Sequence, residues 1–474
     1  MKKVETLQNK IGFWAATAVV IGSIIGSGVF MKPASMAAEL GSPIWLALAW
    51  VIAGVFSLFG ALIFAEAGAL IPENGGLYVY FKHMFGDFFA FLYGWAAFAV
   101  INTASVAAIA FVCILYADYF LHLPRFSPAI EQITWHIPFL GNLHPLDNFG
   151  VKAAAILLVI FLTFLNYLSL RAASAFQLIS TIVKVVVIVA LVVGIFFFGQ
   201  GSFHHFVDAT APKHGWPLIS AMVIAMTGAF MAYDGWINIA SMAGEIKKPQ
   251  VNIPKSLFVG VLACIVIYLL VNQAYLYALP IEQVALSPLV AADAITVSWG
   301  NAGASIIAAL IVVCTVGAVN GNIMACCRIT YQMGHDRVFS SWAGKVQPRF
   351  KTPGNALWLH GIWTSVFILS GTFDMLADMF VFVTWVAYLF GAIGIFILRK
   401  KMPDATRPYK VWGYPFVPIV FIVFSAFYLT VTIWSDVNNY VSGKAPVINS
   451  LLGLAITALG IPFYFYYRKK YNRA

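Results

Sequence analysis

A succession of long apolar stretches, almost free of internal charge, constrains this chain more than any other feature. Twelve of them run through 11–31, 44–70, 86–119, 150–169, 173–199, 216–244, 255–279, 301–332, 355–372, 375–398, 415–435 and 448–467. A helix needs about 20 predominantly apolar residues to cross a ~30 Å hydrocarbon core. The runs are continuous rather than ten-residue alternating strands, and backbone in lipid must satisfy its own hydrogen bonds, so helices are predicted throughout. The stretch 86–119 is too long for a perpendicular crossing and is predicted to tilt or to extend beyond the bilayer. The reading is an all-α polytopic membrane protein with twelve transmembrane helices.

Composition agrees. Of 474 residues, 61% are hydrophobic and 10% charged, against about 25% charged in soluble domains. That excludes a soluble enzyme, a disordered chain and a secreted disulfide scaffold. The net charge of +10 suggests nucleic acid until the charges are placed. With the N-terminus inside, 22 of the 28 Lys and Arg flank the inner ends, and five (Lys32, Arg125, Lys152, Lys213, Lys444) flank the outer ends. Lys184 lies within a span. This is the positive-inside bias, so the basic balance reflects loop placement in a cell membrane, with termini 1–10 and 468–474 cytoplasmic and no nucleic-acid partner. The N-terminal segment has a basic start but no convincing cleavage site, so it is not read as a signal peptide.

The five cysteines (Cys113, Cys264, Cys314, Cys326, Cys327) all fall in or at the ends of expected helices. They read as small apolar packing residues, with metal ligation by Cys326 and Cys327 the alternative. Residues 120–149, with four prolines, read as an irregular cap. No segment outside the membrane is long enough for a catalytic domain, so no enzyme and no cofactor is expected.

Two spans carry interruptions. Span 1 contains Gly22-Ser23-Ile24-Ile25-Gly26-Ser27-Gly28, and each Gly weakens helix propagation by about 0.8–1.0 kcal/mol relative to Ala. A close helix–helix contact through Gly22 and Gly26 is the competing reading; a dinucleotide fingerprint is dismissed because no strand precedes it. Span 6 contains Phe230-Met231-Ala232-Tyr233-Asp234-Gly235-Trp236. A buried acid costs about 2.5–3.5 kcal/mol even on lenient insertion scales and so faces protein or a water-filled cavity. Asp234 capping a local backbone amide is compatible with that.

The two breaks occupy corresponding places. Residues 11–199 hold helices 1–5 and 216–399 hold helices 6–10, each unit opening on its interrupted helix, with helices 11–12 in 415–467. An odd number of spans per unit forces opposite orientation, a 5+5 inverted repeat, and paired interrupted helices point to a transporter's midplane site. Freed amides at the half-helix after Gly26 suit a carboxylate, and freed carbonyls before the breaks suit an ammonium. An α-amino acid satisfies both sets; other zwitterions or amines are not excluded by fit.

Gly26-Ser27-Gly28-Val29-Phe30, Ala232-Tyr233-Asp234-Gly235-Trp236, Gly244-Glu245-Ile246-Lys247-Lys248-Pro249, Asn252-Ile253-Pro254, Pro72-Glu73-Asn74-Gly75-Gly76-Leu77-Tyr78-Val79-Tyr80 and Arg328-Ile329-Thr330-Tyr331 resemble the amino acid–polyamine–organocation superfamily. They are most similar to L-type amino acid transporters and to bacterial serine/threonine or alanine/serine/cysteine exchangers. The resemblance implies a leucine-transporter-type fold with alternating access and sodium-independent exchange. It implies carboxylate binding by Ser27 and Gly28, and reception of the amino group by the carbonyls of Ile24, Met231 and Asp234. It places Phe230 or Met231 near the extracellular gate, where Met231 departs from the usual aromatic residue. It puts Lys184 where related symporters hold sodium, touching span 1 backbone, and Tyr268 near the substrate. Heteromeric members carry a cysteine in the outer loop after span 3. Residues 120–149 have none, so no disulfide-linked heavy subunit is expected.

Lys184 sits deep in span 5 among Ile182, Val183, Val185, Val186 and Val187, too far from either end to snorkel easily. Weaker candidates are Asn102, Thr103 and Ser105 in span 3, Glu66 as a structural acid, and Asn320 and Asn322 as packing or pocket residues. The expected function is exchange of small or medium neutral L-amino acids. The alternatives are a proton-coupled amino acid or amine symporter on the same fold and a sensor or channel, which would want a repeated polar filter.

Overall fold

A computed structural model of the chain describes residues 11–73, 75–210 and 213–471. Helices α1 (Phe13–Ile24) and α2 (Gly28–Leu40) form a pair bent by 45°. After them come α3 (Pro43–Leu70), α4 (Leu77–Phe85), α5 (Asp87–Leu121), α6 (Phe149–Leu168), α7 (Leu170–Phe198) and α8 (Trp216–Tyr233). Then follow α9 (Pro249–Ala278), α10 (Val290–His335), α11 (Gly354–Ser370), α12 (Phe373–Lys401), α13 (Phe416–Val441) and α14 (Asn449–Tyr471). Among the described residues, ten helices are long and apolar enough to cross a membrane, and the bent pair makes an eleventh. Helix α11 has 17 residues, about 26 Å at 1.5 Å per residue and short of the ~30 Å core.

Three departures from the sequence reading are informative. The first span does not stop at residue 31, because α2 continues through Lys32 and Pro33 to Leu40. Lys32 is 2% exposed, its ammonium paired with Asp374 at 2.7 Å and Asp378 at 3.4 Å on α12. Helix α10 begins at Val290 and turns at Gly300 (φ 62°), so the stretch 301–332 is only its second part. Residues 120–149 contain a helical turn (Pro128–Glu131) and an antiparallel hairpin, β1 (Trp135–Ile137) with β2 (Gly141–Leu143).

Connecting segments gather at two ends. At one, the Thr210 amide donates to the Gly41 carbonyl (3.0 Å), Ser202 to Tyr277 (2.9 Å) and Asn142 to Pro446 (2.8 Å). The Lys152 ammonium there donates to the carbonyls of His144 and Leu369. At the other end the Lys247 amide donates to Ile11 (2.8 Å), and the Tyr78 hydroxyl to Asp336 (3.0 Å). Thr352 donates to the Tyr167 carbonyl (2.9 Å) and Lys401 to that of Met84 (3.0 Å). Buried Glu66 takes two bonds from Arg399, at 2.8 and 2.6 Å, and one from the Val411 amide at 2.8 Å, so it is a structural anchor between α3, α12 and the segment after α12.

Candidate functional site at two helix breaks

Helix α1 ends because the chain turns extended at Ile25 (ψ 97°), and α2 restarts at Gly28 after Ser27. Helix α8 ends at Tyr233; Asp234 is extended (ψ 156°), Gly235 takes φ 108°, and a 3₁₀ turn (Trp236–Glu245) continues the chain. Only glycine adopts such a φ without strain. Each break therefore frees backbone groups that a continuous helix would pair.

The breaks lie directly against each other. A Cβ on Gly28 would stand 2.7 Å from the Cα of Ala232, and one on Gly235 would stand 2.4 Å from the carbonyl oxygen of Ser23. Glycine at both positions lets the two backbones approach more closely than side chains allow.

The freed carbonyls have identifiable partners. The Tyr268 hydroxyl on α9, fully buried, lies 3.0 Å from the carbonyl oxygen of Ile24 and 2.9 Å from that of Ala232. Its single proton bridges both breaks, and it is Ala232 rather than Met231 or Asp234 that it reaches on α8. The Lys184 ammonium on α7 donates to the Gly22 carbonyl at 3.3 Å. It has no carboxylate partner among the described residues, so the terminal turn of α1 is what it holds.

Ser27 is different. It is 1% exposed, yet its Oγ has no hydrogen-bond partner among the described residues. A buried hydroxyl left unpaired costs roughly 1–3 kcal/mol.

Beside the breaks a small cavity of ≈ 10 Å³ is bounded by Phe230, Asp234, Trp236, Thr384, Trp385 and Tyr388. That is about the room of one water molecule, so a solute the size of an amino acid enters only if the surrounding helices part. The Asp234 carboxylate accepts from the Tyr388 hydroxyl at 3.0 Å. Phe230 packs on Trp385 with ring centroids 4.0 Å apart, and Met231 is buried beside it in the chain.

The weaker candidates resolve mostly into packing. The Thr103 hydroxyl bonds to the Phe98 carbonyl within its own helix (3.0 Å), Asn320 accepts from Asn166 (2.8 Å), and Asn322 donates to the Ala318 carbonyl (3.0 Å). The sequence places a span at 375–398 but does not nominate the α12 side chains Thr384, Trp385 and Tyr388 that border the cavity. Thr384 and Tyr388, four residues apart, share one helix face, a spacing visible beforehand in the sequence.

The family description "Amino acid permease" matches residues 11–457. The serine/threonine exchanger SteT of Bacillus subtilis is 30% identical over 469 residues, covering 98% of each chain. The b(0,+)-type amino acid transporter 1 of Mus musculus is 27% identical across 98% of this chain and 88% of its own. The large neutral amino acids transporter small subunit 2 of Mus musculus is 27% identical across 97% of this chain and 81% of its own.

Proposed function

The chain belongs to the amino acid permease family, and we propose that it exchanges small or medium neutral L-amino acids, without sodium, by alternating access. Its relatives are transporters and exchangers, and it is a transporter rather than an enzyme.

The unpartnered buried hydroxyl of Ser27 carries the proposal. With the freed amides at the start of α2 it offers donors to a carboxylate, and the positive end of that half-helix adds to the attraction. The carbonyls of Ile24, Met231 and Asp234 are the acceptors for the ammonium. Tyr268 already lies against the first of them and yields or shares it when solute arrives. Lys184 supplies a fixed positive charge beside the end of α1, where a sodium ion would otherwise be needed. Phe230 and Met231 close the site, Phe230 against Trp385. A neutral side chain is favoured because Asp234, the acid at the cavity, is committed to Tyr388.

The architecture proposed is twelve crossings, with 11–199 and 216–399 as oppositely oriented repeats and 415–467 as two added helices. The alternation of connecting segments between two ends supports it. Arg337, Lys345, Arg349, Lys351, Arg407 and Lys410 belong to segments at the end where Ile11 meets Lys247. That supports a cell-membrane orientation with both termini cytoplasmic. The subunit works without a disulfide-linked partner, a reading supported by the absence of cysteine from residues 120–149 and the burial of all five cysteines.

The test is uptake of labelled L-serine into sodium-free liposomes carrying the purified protein. Uptake should require unlabelled internal amino acid and ignore a pH gradient. Uptake that ignores internal substrate and follows the pH gradient would replace the exchanger with a proton-coupled symporter.

A further inference from the structure

A second and much larger cavity lies at the end of the molecule where Lys152 meets His144 and Leu369. It encloses ≈ 830 Å³, within the range of small-molecule sites, and shares no lining residue with the cavity at the helix breaks. Its wall carries both signs of charge: Arg125 and Lys152, with Asp118, Asp147 and Asp374.

Two of these groups are built into the protein. Lys152 is 1% exposed. It donates to two backbone carbonyls, at 2.5 and 3.5 Å, and has no carboxylate within 4.0 Å among the described residues. Two of its three donors are spent on carbonyls and one is left for an anion, with the carboxylates of Asp147 and Glu131 near enough to act on its charge but not bonded to it. Asp374 is the converse. One oxygen pairs with Lys32 at 2.7 Å while the side chain stays 61% exposed, leaving its second oxygen open. Lys152 bonds the carbonyl of Leu369, five residues before Asp374, so the two charges border the same space.

We propose that this cavity is a second amino-acid site, loading solute toward the helix breaks, in which Lys152 takes the carboxylate and Asp374 the ammonium. The proposal rests on the exchanger reading above and adds a consequence to it. The solute's ammonium competes with Lys32 for Asp374. Lys32 ties the half-helix α2 to α12, so solute in the cavity weakens the tie that must loosen for α2 to move.

The test is the half-saturation of labelled L-serine exchange, measured separately from each membrane face in right-side-out and inverted vesicles. Lys152→Gln should raise it about tenfold from the cavity face, the scale of one lost charged hydrogen bond, and leave the opposite face and the maximal rate within about twofold. Leu115→Trp, which fills the cavity from α5 without touching a charge, should give the same one-sided rise and carries the test if Lys152→Gln fails to reach the membrane. Equal shifts from both faces, or none with either variant, would overturn the site and leave Lys152 as a cap for backbone carbonyls. A wild-type protein that exchanges no L-serine overturns the exchanger reading and this site with it, whereas normal exchange without a one-sided shift overturns the site alone.

Discussion

Replacing Tyr268 by Phe removes one oxygen atom and keeps the ring. The ring's packing survives, because it meets Trp50 at 5.5 Å and Tyr233 at 5.0 Å through faces and edges, not through the hydroxyl. What is lost is the proton shared between the carbonyls of Ile24 and Ala232. At least one buried carbonyl is then unpaired, at a cost of about 1–3 kcal/mol, roughly a 5- to 150-fold shift in the balance between this closed arrangement and any that separates the breaks. The assay is thermal unfolding of the purified protein with and without saturating L-serine. The variant should unfold at a lower temperature without solute. The gap from wild type should narrow with L-serine, whose ammonium supplies a donor to the Ile24 carbonyl. Equal stability of the two proteins without solute would refute the bridging role. A gap unchanged by L-serine would refute the claim that the Ile24 carbonyl receives the ammonium.

Three further outcomes follow from the same geometry. Gly235→Ala places a Cβ against the Ser23 carbonyl at a φ of 108°, so transport should be lost at a cost of about 1–3 kcal/mol, while Gly12→Ala, with nothing within 4 Å, should transport normally in the same assay. Lys184→Ala leaves the Gly22 carbonyl unpaired and should reduce uptake in sodium-free liposomes; unchanged uptake with and without sodium would remove Lys184 from the account. Glu66→Ala strands Arg399 and Arg407 beside a vacated site, and about 3 kcal/mol of lost stability should appear as a lower unfolding temperature in detergent.

The local signals in the sequence were read well, and the long-range ones were not. The apolar runs located the ten helices long and apolar enough to cross a membrane and the bent pair α1–α2, because lipid demands length and continuity that few soluble segments have. The Gly22–Gly28 cluster and Asp234-Gly235 marked both helix breaks, since backbone that leaves the helical region at depth needs glycine or a polar neighbour. Lys32 was misplaced in an outer loop for the opposite reason. Its partners, Asp374 and Asp378, lie 342 and 346 residues away in the chain, and a lysine beside a proline looks like a helix end unless those acids are known to be there. Tyr268 could be nominated near the solute, but its bridging of two carbonyls depends on how closely α1 and α8 approach. That approach is set by Gly28 meeting Ala232 and Gly235 meeting Ser23, and no local pattern encodes it. The part of α12 bearing Thr384, Trp385 and Tyr388 was read only as a span, because aromatic residues in a membrane helix are usually packing.

The most direct test removes one charge from the solute at a time. In competition against labelled L-serine, L-serine methyl ester lacks the carboxylate offered to Ser27 and the amides of α2, and glyceric acid lacks the ammonium offered to the carbonyls of the breaks. Neither should compete measurably at concentrations where unlabelled L-serine abolishes uptake; competition by either one at serine-like concentrations would contradict recognition through the paired helix breaks.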